Sequence, residues 1–573
     1  MVDNFVSRSD TDHYPIRSRI YLHPSTLAKR VSILLFLAIV AFYIYGLGLI
    51  PLVGPDEPRY AQVAREMFSR GDLITPTLGG HTWFEKPALL YWMMIAAFKV
   101  FGVNEWSARI GPALSGLLTI AAVWCIGRQI ERTGSTSGLS GFGFWSALVA
   151  ATSFGIIVFS RGASFDIVIT MTTTWALSFF VLEELTSIPR SKNIFLAGFY
   201  ALVGLSLLAK GLVGIVIPFG VVALYYLLKR ELPARRVSLS LLWGIPIVLA
   251  VSAVWYGPVI YRHGWEFIDQ FFIQHHLARY ISNKYHHHQP LYFYLLILIP
   301  LTLPWSAFLI EGLVSMRNWQ LRDVAALSKV RVFSLAWLLF PILFFSFSGS
   351  KLPGYILPVL PAAAILAGER LARLSATSTG RNWSLRATGV ICLILGAFTV
   401  VYASRSTALT LGCGVLVALP LFAAGVIAVI WTRLRSTSLV LVAWATLATV
   451  VILLNCGAQN LAQRESVRDL LRLADARGYA HAPVFARRGD DRTAEFYASG
   501  RVLYGADGEV TTLDELPQML AEARKHGGVI LALVPLSDLA QFNGSSASAI
   551  EIIGNNGRLA IVGVKLNPDL EMF

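Results

Sequence analysis

Two short runs concentrate the reactive residues of this chain: Gly-Pro-Asp-Glu-Pro-Arg-Tyr from Gly54 to Tyr60, and His-Thr-Trp-Phe-Glu-Lys-Pro from His81 to Pro87. Around them Arg59, Arg65, Arg70 and Lys86 alternate with Asp56, Glu57, Glu66, Asp72 and Glu85, so an anionic and a cationic ligand would both find partners. Gly54-Pro55 enforces a tight turn that fixes Asp56 at the end of the preceding apolar segment. Asp56 is therefore read as a catalytic or ligand-binding carboxylate, with a cap for a helix over 58–68 as the structural alternative. Pro87 holds the residue before it extended, which leaves Lys86 able to reach an anion or to pair with Glu85.

Further candidates lie downstream. Arg161 and Asp166 bracket a short turn, where an ion pair between them is the competing reading. Lys210 ends an apolar run, and snorkelling explains it equally well. The stretch Phe271 to Tyr280 mixes aromatics with His275, His276 and Arg279. Glu85 with imidazoles could bind zinc. Adjacent side chains on a helix diverge by about 100°, so at most one of His275 and His276 is a ligand. The triplet His286–His288 reads as a polar interfacial loop, and the Gly349–Pro358 hairpin offers Lys351 and Tyr355 as donors to a phosphate. Arg59, Lys86, Arg279 and Lys351 stand on separate loops and could converge on one lipid phosphate or diphosphate, whose tail would lie between spans.

These loops must be carried by membrane elements. The chain has 573 residues, 55% hydrophobic and 14% charged, which is polytopic membrane composition. The net charge of +14 is spread in short runs between apolar segments, so it reads as a topology signal and not as a nucleic-acid surface. Segments long enough to cross run about 31–53, 107–127, 143–160, 165–185, 194–209, 211–228, 238–260, 291–313, 332–349, 354–372, 387–404, 409–431 and 438–456. Placing the basic clusters inside makes the shorter segment 88–103 an interfacial or re-entrant helix, leaves 13 spans, and puts every candidate residue on the outer face. The domains expected are a cytoplasmic 1–30, a transmembrane 31–460 with outer loops 54–106 and 261–290, and a small α/β domain over 461–573. Cys125, Cys392, Cys413 and Cys456 show no pairing pattern, so no disulfide framework and no thiolate metal site is expected.

The motifs Asp56-Glu-Pro-Arg-Tyr-Ala-Gln-Val-Ala-Arg-Glu-Met67, Phe84-Glu-Lys-Pro87, Leu208-Ala-Lys-Gly211, Phe271-Phe272 with His276 and Arg279, Leu303-Pro-Trp305 and Lys351-Leu-Pro-Gly-Tyr355 occur in this order. In them the chain resembles the GT-C lipid-linked glycosyltransferases, and most closely the aminoarabinose lipid A transferases (ArnT family), relatives of the protein O-mannosyltransferases. The resemblance implies an all-α GT-C membrane domain of about 13 helices with juxtamembrane helices, and a periplasmic α/β domain. It implies an inverting transfer of 4-amino-4-deoxy-L-arabinose from undecaprenyl phosphate to lipid A phosphates, giving polymyxin resistance. It places Asp56 and Asp166 at the reaction centre and gives Lys86 and Arg279 the lipid phosphate; the residues themselves add Arg59, Lys351 and Tyr355 as candidate phosphate ligands. Glu85 with one of His275 and His276 takes the zinc position, no cofactor being otherwise required. A monomer in the bacterial inner membrane, with no nucleic acid partner, is expected. The alternatives are a polyprenyl-phosphate-sugar-dependent mannosyltransferase acting on protein or another lipid, and a lipid transporter or flippase. Against the last stands the lack of an internal repeat.

Overall fold

The computed structural model describes residues 26–133, 139–281, 289–377, 382–431, 433–487, 491–506, 508–542 and 550–566. By its internal contacts the chain divides into a short N-terminal unit, Met1–Phe42, and a large unit, Tyr43–Phe573. The former includes most of the first helix, Thr26–Ile44.

The large unit is built from apolar helices. Among the described residues nine helices are long and apolar enough to cross a bilayer, and the bent pair Phe142–Thr152 and Phe154–Arg161 makes a tenth. The chain is a multi-pass membrane protein. Each of the thirteen expected segments contains a helix, and three fall short for identifiable reasons. Of the first, helix Thr26–Ile44, only the side chains of Leu34–Ile44 are among those described; Val213–Lys229 has 17 residues, and 291–313 divides into Phe293–Leu301 and Ser306–Val314. Segment 88–103 forms the 13-residue helix Leu89–Phe101, too short to span.

Between the first and second spans lie the elements that present the charged motifs. Helix Asp56–Arg70 starts directly after the Gly54-Pro55 turn and ends at Gly71, whose φ of 65° suits a left-handed C-cap. Asp56 thus stands in its first turn, and the N-cap position considered for it is occupied by Pro55, which makes no side-chain cap. A hairpin follows, pairing β1 (Thr77–Leu78) with β2 (His81–Thr82) through Gly79-Gly80, both at positive φ as a two-residue primed turn requires. Glu66 accepts from Thr77 Oγ1 at 2.6 Å and from the amide of Gly79 at 2.8 Å, which ties the hairpin to the helix. The hairpin delivers the chain directly into Glu85-Lys86.

The C-terminal region folds as a four-stranded sheet of order β3-β4-β6-β5, with β3 Val484–Ala486, β4 Val529–Pro535, β5 Ile550–Asn555 and β6 Leu559–Lys565. β3 runs parallel to β4, and β6 lies antiparallel between β4 and β5. β4 and β6 read as near-continuous apolar runs because both faces of the sheet's centre are buried.

The cysteines overturn the sequence expectation, because Cys413 and Cys456 are disulfide-bonded with their Cα atoms 5.7 Å apart. Cys413 stands near the start of helix Leu411–Ile430 and Cys456 closes the next helix, Arg435–Cys456. Two consecutive helices bring the start of one beside the end of the next, so a separation of 43 residues is short in space. Digestion without reductant should yield the Cys413 and Cys456 peptides as one cross-linked species that disappears in Cys456→Ser. Recovery of both as free alkylated thiols would refute the pairing.

Candidate functional site

The turn that carries Asp56 is fixed by a buried pair. Arg109, 1% exposed, donates through Nε and Nη2 to both Glu57 oxygens at 2.6 and 2.7 Å. Its remaining hydrogens go to the carbonyls of Leu47, Ile50 and Pro51 at 2.7 to 2.8 Å. Glu57 in turn accepts the amide of Val53 at 3.1 Å and that of Ala163 at 2.8 Å. Five backbone groups on either side of Asp56 are therefore held by one fork-to-carboxylate contact. Glu57 was legible only as a companion of Asp56, and Arg109 carried no motif; an arginine inside a predicted span was the signal available.

Above this turn opens a cavity of about 380 Å³. Asp56, Glu85, Lys86, Asp166, Lys210, His275, His276, Tyr280 and Tyr355 line it, facing an apolar wall of Val158, Phe159, Val213 and Phe345. Residues from loops hundreds of positions apart are thus brought together, although of the four cations expected to converge, Arg59, Lys86, Arg279 and Lys351, only Lys86 is among the described lining residues. Asp56 is the most open of its carboxylates, 56% exposed against 21% for Asp166 and 12% for Glu85. Asp166 pairs with Lys210, which also lies 4.8 Å from the centre of the Tyr355 ring. The ion-pair partner of Asp166 is therefore Lys210, while Arg161 donates to the carbonyl of Tyr45 at 2.5 Å. Lys86 donates to Glu85 at 2.7 Å.

Two glycines make room for these groups. A Cβ at Gly354 would collide with the Asp166 carboxylate, and one at Gly211, which has φ of 69°, would collide with the His276 ring. Gly354 thereby lets the Gly349–Pro358 segment lie directly on Asp166.

Other expected ligands sit elsewhere. Arg59 lies behind the lining, bonded to Asp56 at 3.0 Å, 3.8 Å from Glu85 and over the Trp83 ring at 5.3 Å. Lys351, 5% exposed, donates to the carbonyl of Ser348 at 2.8 Å, because a lysine following a helix C-terminus finds the last unpaired carbonyls close at hand. The Arg279 side chain and His286–His288 lie outside the described residues. His81 is exposed at the hairpin, His263 bonds Thr75 Oγ1 at 2.9 Å, and Asp269 accepts from Gln274 at 2.7 Å.

Both His275 and His276 face the cavity, since Ile268–Ala278 winds as a π-helix whose wider turns bring consecutive side chains closer in direction. His276 Nδ1 lies 2.6 Å from the carbonyl of Phe271, which makes that nitrogen a donor. Glu85 is engaged by Lys86 and Arg59. Among the described residues no three His, Cys, Asp or Glu side chains converge as metal ligands.

Electrostatics favour fixed protonation around Asp56. Burial pushes the Tyr60 phenol well above its ordinary range, and Asp56 and Glu85 push it further, so Tyr60 stays a neutral donor in the lining. For Arg59 burial alone would lower the value, but Glu85, Tyr60 and Asp56 outweigh it and raise it.

Residues 85–257 match the family model described as dolichyl-phosphate-mannose-protein mannosyltransferase. An undecaprenyl phosphate-alpha-4-amino-4-deoxy-L-arabinose arabinosyl transferase of Pseudomonas fluorescens is 31% identical over 65% of this chain and 65% of its own length. The chain spans 62 to 65% of the length of such Pseudomonas relatives. An enzyme of the same name from Serratia proteamaculans is 27% identical over 88% of this chain and 94% of its own. The crystal structure of ArnT from Cupriavidus metallidurans bound to undecaprenyl phosphate superimposes with a TM-score of 0.74 at 25% identity, covering 93% of this chain and 98% of that one.

Removing one partner of the Glu57–Arg109 pair leaves a buried charge and three carbonyls unmatched. Arg109→Ala should lower stability by about 3 to 5 kcal/mol, read as a fall in the detergent-solubilised protein's unfolding temperature. An unchanged melting curve would show that the turn is held by other contacts.

Proposed function

We propose that this chain is a member of the ArnT family of GT-C glycosyltransferases and transfers 4-amino-4-deoxy-L-arabinose from undecaprenyl phosphate to the phosphate groups of lipid A, a reading supported by the matches in sequence and fold. The observation that carries the reading is the composition of the cavity. Carboxylates and cations meet there already paired, Glu85 with Lys86, Asp166 with Lys210 and Asp56 with Arg59. A set of this kind suits a zwitterionic sugar phosphate, since the phosphate can take a lysine while the ammonium takes the carboxylate released. No net charge is then buried. A neutral sugar such as mannose would leave that carboxylate unmatched, which costs more than it gains in a partly desolvated site.

The chemistry follows from the same groups. The bond between the anomeric carbon and the lipid phosphate oxygen breaks, and one to an acceptor phosphate oxygen forms on the opposite face. Charge develops on the leaving phosphate, where Lys86, Lys210 and Tyr355 supply donors that need little reorganisation. The acceptor phosphate is ionised near neutral pH, so no general base is required. Asp56, the most open carboxylate, orients the sugar and stabilises positive charge at its reacting carbon. The apolar wall of Val158, Phe159, Val213 and Phe345 excludes water that would otherwise hydrolyse the donor.

The orientation is part of this proposal: the cavity and the C-terminal sheet domain face the periplasm of the bacterial inner membrane. Two observations support it. The basic clusters lie at the opposite helix ends. The bonded pair Cys413 and Cys456 sits at helix ends assigned to the outer face, as an oxidising compartment allows, whereas the free Cys125 and Cys392 lie toward the inner ends.

Deleting the gene should remove a mass increment of one amino-pentose from lipid A under conditions where the modification is made, and lower polymyxin resistance. An unchanged lipid A mass spectrum would refute the substrate assignment. In the complemented strain Asp56→Asn and Lys86→Ala should each cut transfer by about a hundredfold or more while the protein remains folded. Wild-type turnover by both would place the site elsewhere.

A further inference from the structure

We infer that Tyr497, in the C-terminal domain, is a positioning residue of the reaction site, acting through the backbone of the turn that carries Asp56. The inference rests on the reading of the outer cavity as the transfer site. Tyr497 ends the short helix Thr493–Tyr497. Its hydroxyl accepts the amide hydrogen of Leu52 at 2.7 Å and donates to Glu105 Oε1 at 3.1 Å. Glu105 stands one helical turn before Arg109 and also receives Arg468 of the C-terminal domain at 3.2 Å. The N-terminal turn of helix Glu105–Arg132 thus holds both ends of the arrangement.

The geometry of the loop makes this contact consequential. Leu52 precedes Val53, which lines the cavity, and Gly54, whose φ of 71° is followed by the fixed φ of Pro55. A turn with so few soft torsions transmits a displacement of Leu52 to Asp56. The amides of Leu52 and Val53 have one side-chain acceptor each, Tyr497 and Glu57. Glu57 fixes the turn from within the membrane domain, and Tyr497 fixes it from the sheet domain.

The neighbouring residue grips the other side of Asp56. Arg65, on the same helix as Asp56, donates to the carbonyl of Phe496 at 2.7 Å and lies 4.0 Å over the Phe496 ring. Two consecutive residues of the C-terminal domain therefore hold the chain just before Asp56 and at Arg65, on the helix that Asp56 begins. Burial, reinforced by Glu105, pushes the Tyr497 phenol upward, so it keeps the proton it donates. The Tyr504 ring packs against Gly79 at the tip of the hairpin that leads to Glu85 and Lys86, adding a second point of docking.

The test is Tyr497→Phe in the full-length protein, assayed with the undecaprenyl-phosphate aminoarabinose donor and lipid A. The ring packing is kept and only the hydroxyl is lost. We expect kcat to fall about tenfold to a hundredfold with KM for the donor nearly unchanged, as a misplaced reacting group does. Hydrogen exchange should quicken in the peptide covering Leu52 and Val53 but not in the β4 and β6 peptides. Tyr479→Phe, which removes a hydroxyl bonded to Glu551 inside the sheet domain at 2.7 Å, should leave kcat as in wild type. Equal kcat for Tyr497→Phe and wild type, or a loss of kcat matched by Tyr479→Phe, overturns the proposal. A wild-type protein that transfers nothing from this donor overturns instead the functional reading on which it rests.

Discussion

Everything at the outer cavity depends on the buried contact between Glu57 and Arg109. A buried ion pair on its own is a weak source of stability, because the loss of hydration offsets most of the attraction. Here the pair does more than attract. Arg109 also satisfies the carbonyls of Leu47, Ile50 and Pro51, and Glu57 the amide of Val53, groups that the turn between span and helix leaves without regular partners, while Glu57 takes the amide of Ala163 from the loop after helix Phe154–Arg161. An unpaired backbone group in such a place costs about 1 to 3 kcal/mol. The pair thus makes an irregular segment tolerable at the membrane boundary, and it does so in one conformation, the one that points Asp56 into the cavity.

The same economy explains why the reactive groups are paired with one another before any ligand arrives. Lysines and carboxylates at a hydrocarbon boundary are expensive to leave alone. Lys210 meets Asp166 and Lys86 meets Glu85 across the cavity floor, each half of a pair holding the other out of the apolar wall. A zwitterionic donor can exchange into such pairs at small cost because charge is traded rather than buried anew. Gly354 and Gly211 keep this possible, since any side chain at either would occupy the space that Asp166 or His276 fills.

Much of this was legible in the sequence, and the parts that were not share a physical cause. Hydropathy and charge bias report on spans and sides, so the thirteen apolar segments each hold a helix, and the motif residues Asp56, Glu85, Lys86, Asp166, His275 and Tyr355 do line one cavity. Local pattern cannot report which cation meets which anion. Asp166 reads as a partner for nearby Arg161 but meets Lys210, brought to it by helix packing 44 positions away. Lys351 reads as a phosphate ligand, yet it is buried and donates to the carbonyl of Ser348. The disulfide was within reach: the parity count places Cys413 and Cys456 at the same face, at the ends of consecutive spans, and CxxC spacing was the wrong pattern to seek.

The C-terminal domain is the largest part whose place the sequence left open, and its fold explains why. Its core is drawn from β3, β4 and β6 and the helices beside them, whose apolar residues pack within the domain and carry no chemical motif. Among the contacts that join it to the membrane region are directional polar ones, Arg65 to Phe496, Tyr497 to Leu52 and Glu105, and Arg468 to Glu105, beside the Tyr504 ring packed on Gly79. Contacts of this kind leave no periodicity, because they fall on single residues at loop and helix ends. They converge on the two elements that also fix Asp56, the turn before it and the helix after it. A domain that served only as a cover would gain more from apolar contact over a broad area. One that grips these two elements by directional bonds instead constrains where Asp56 can stand.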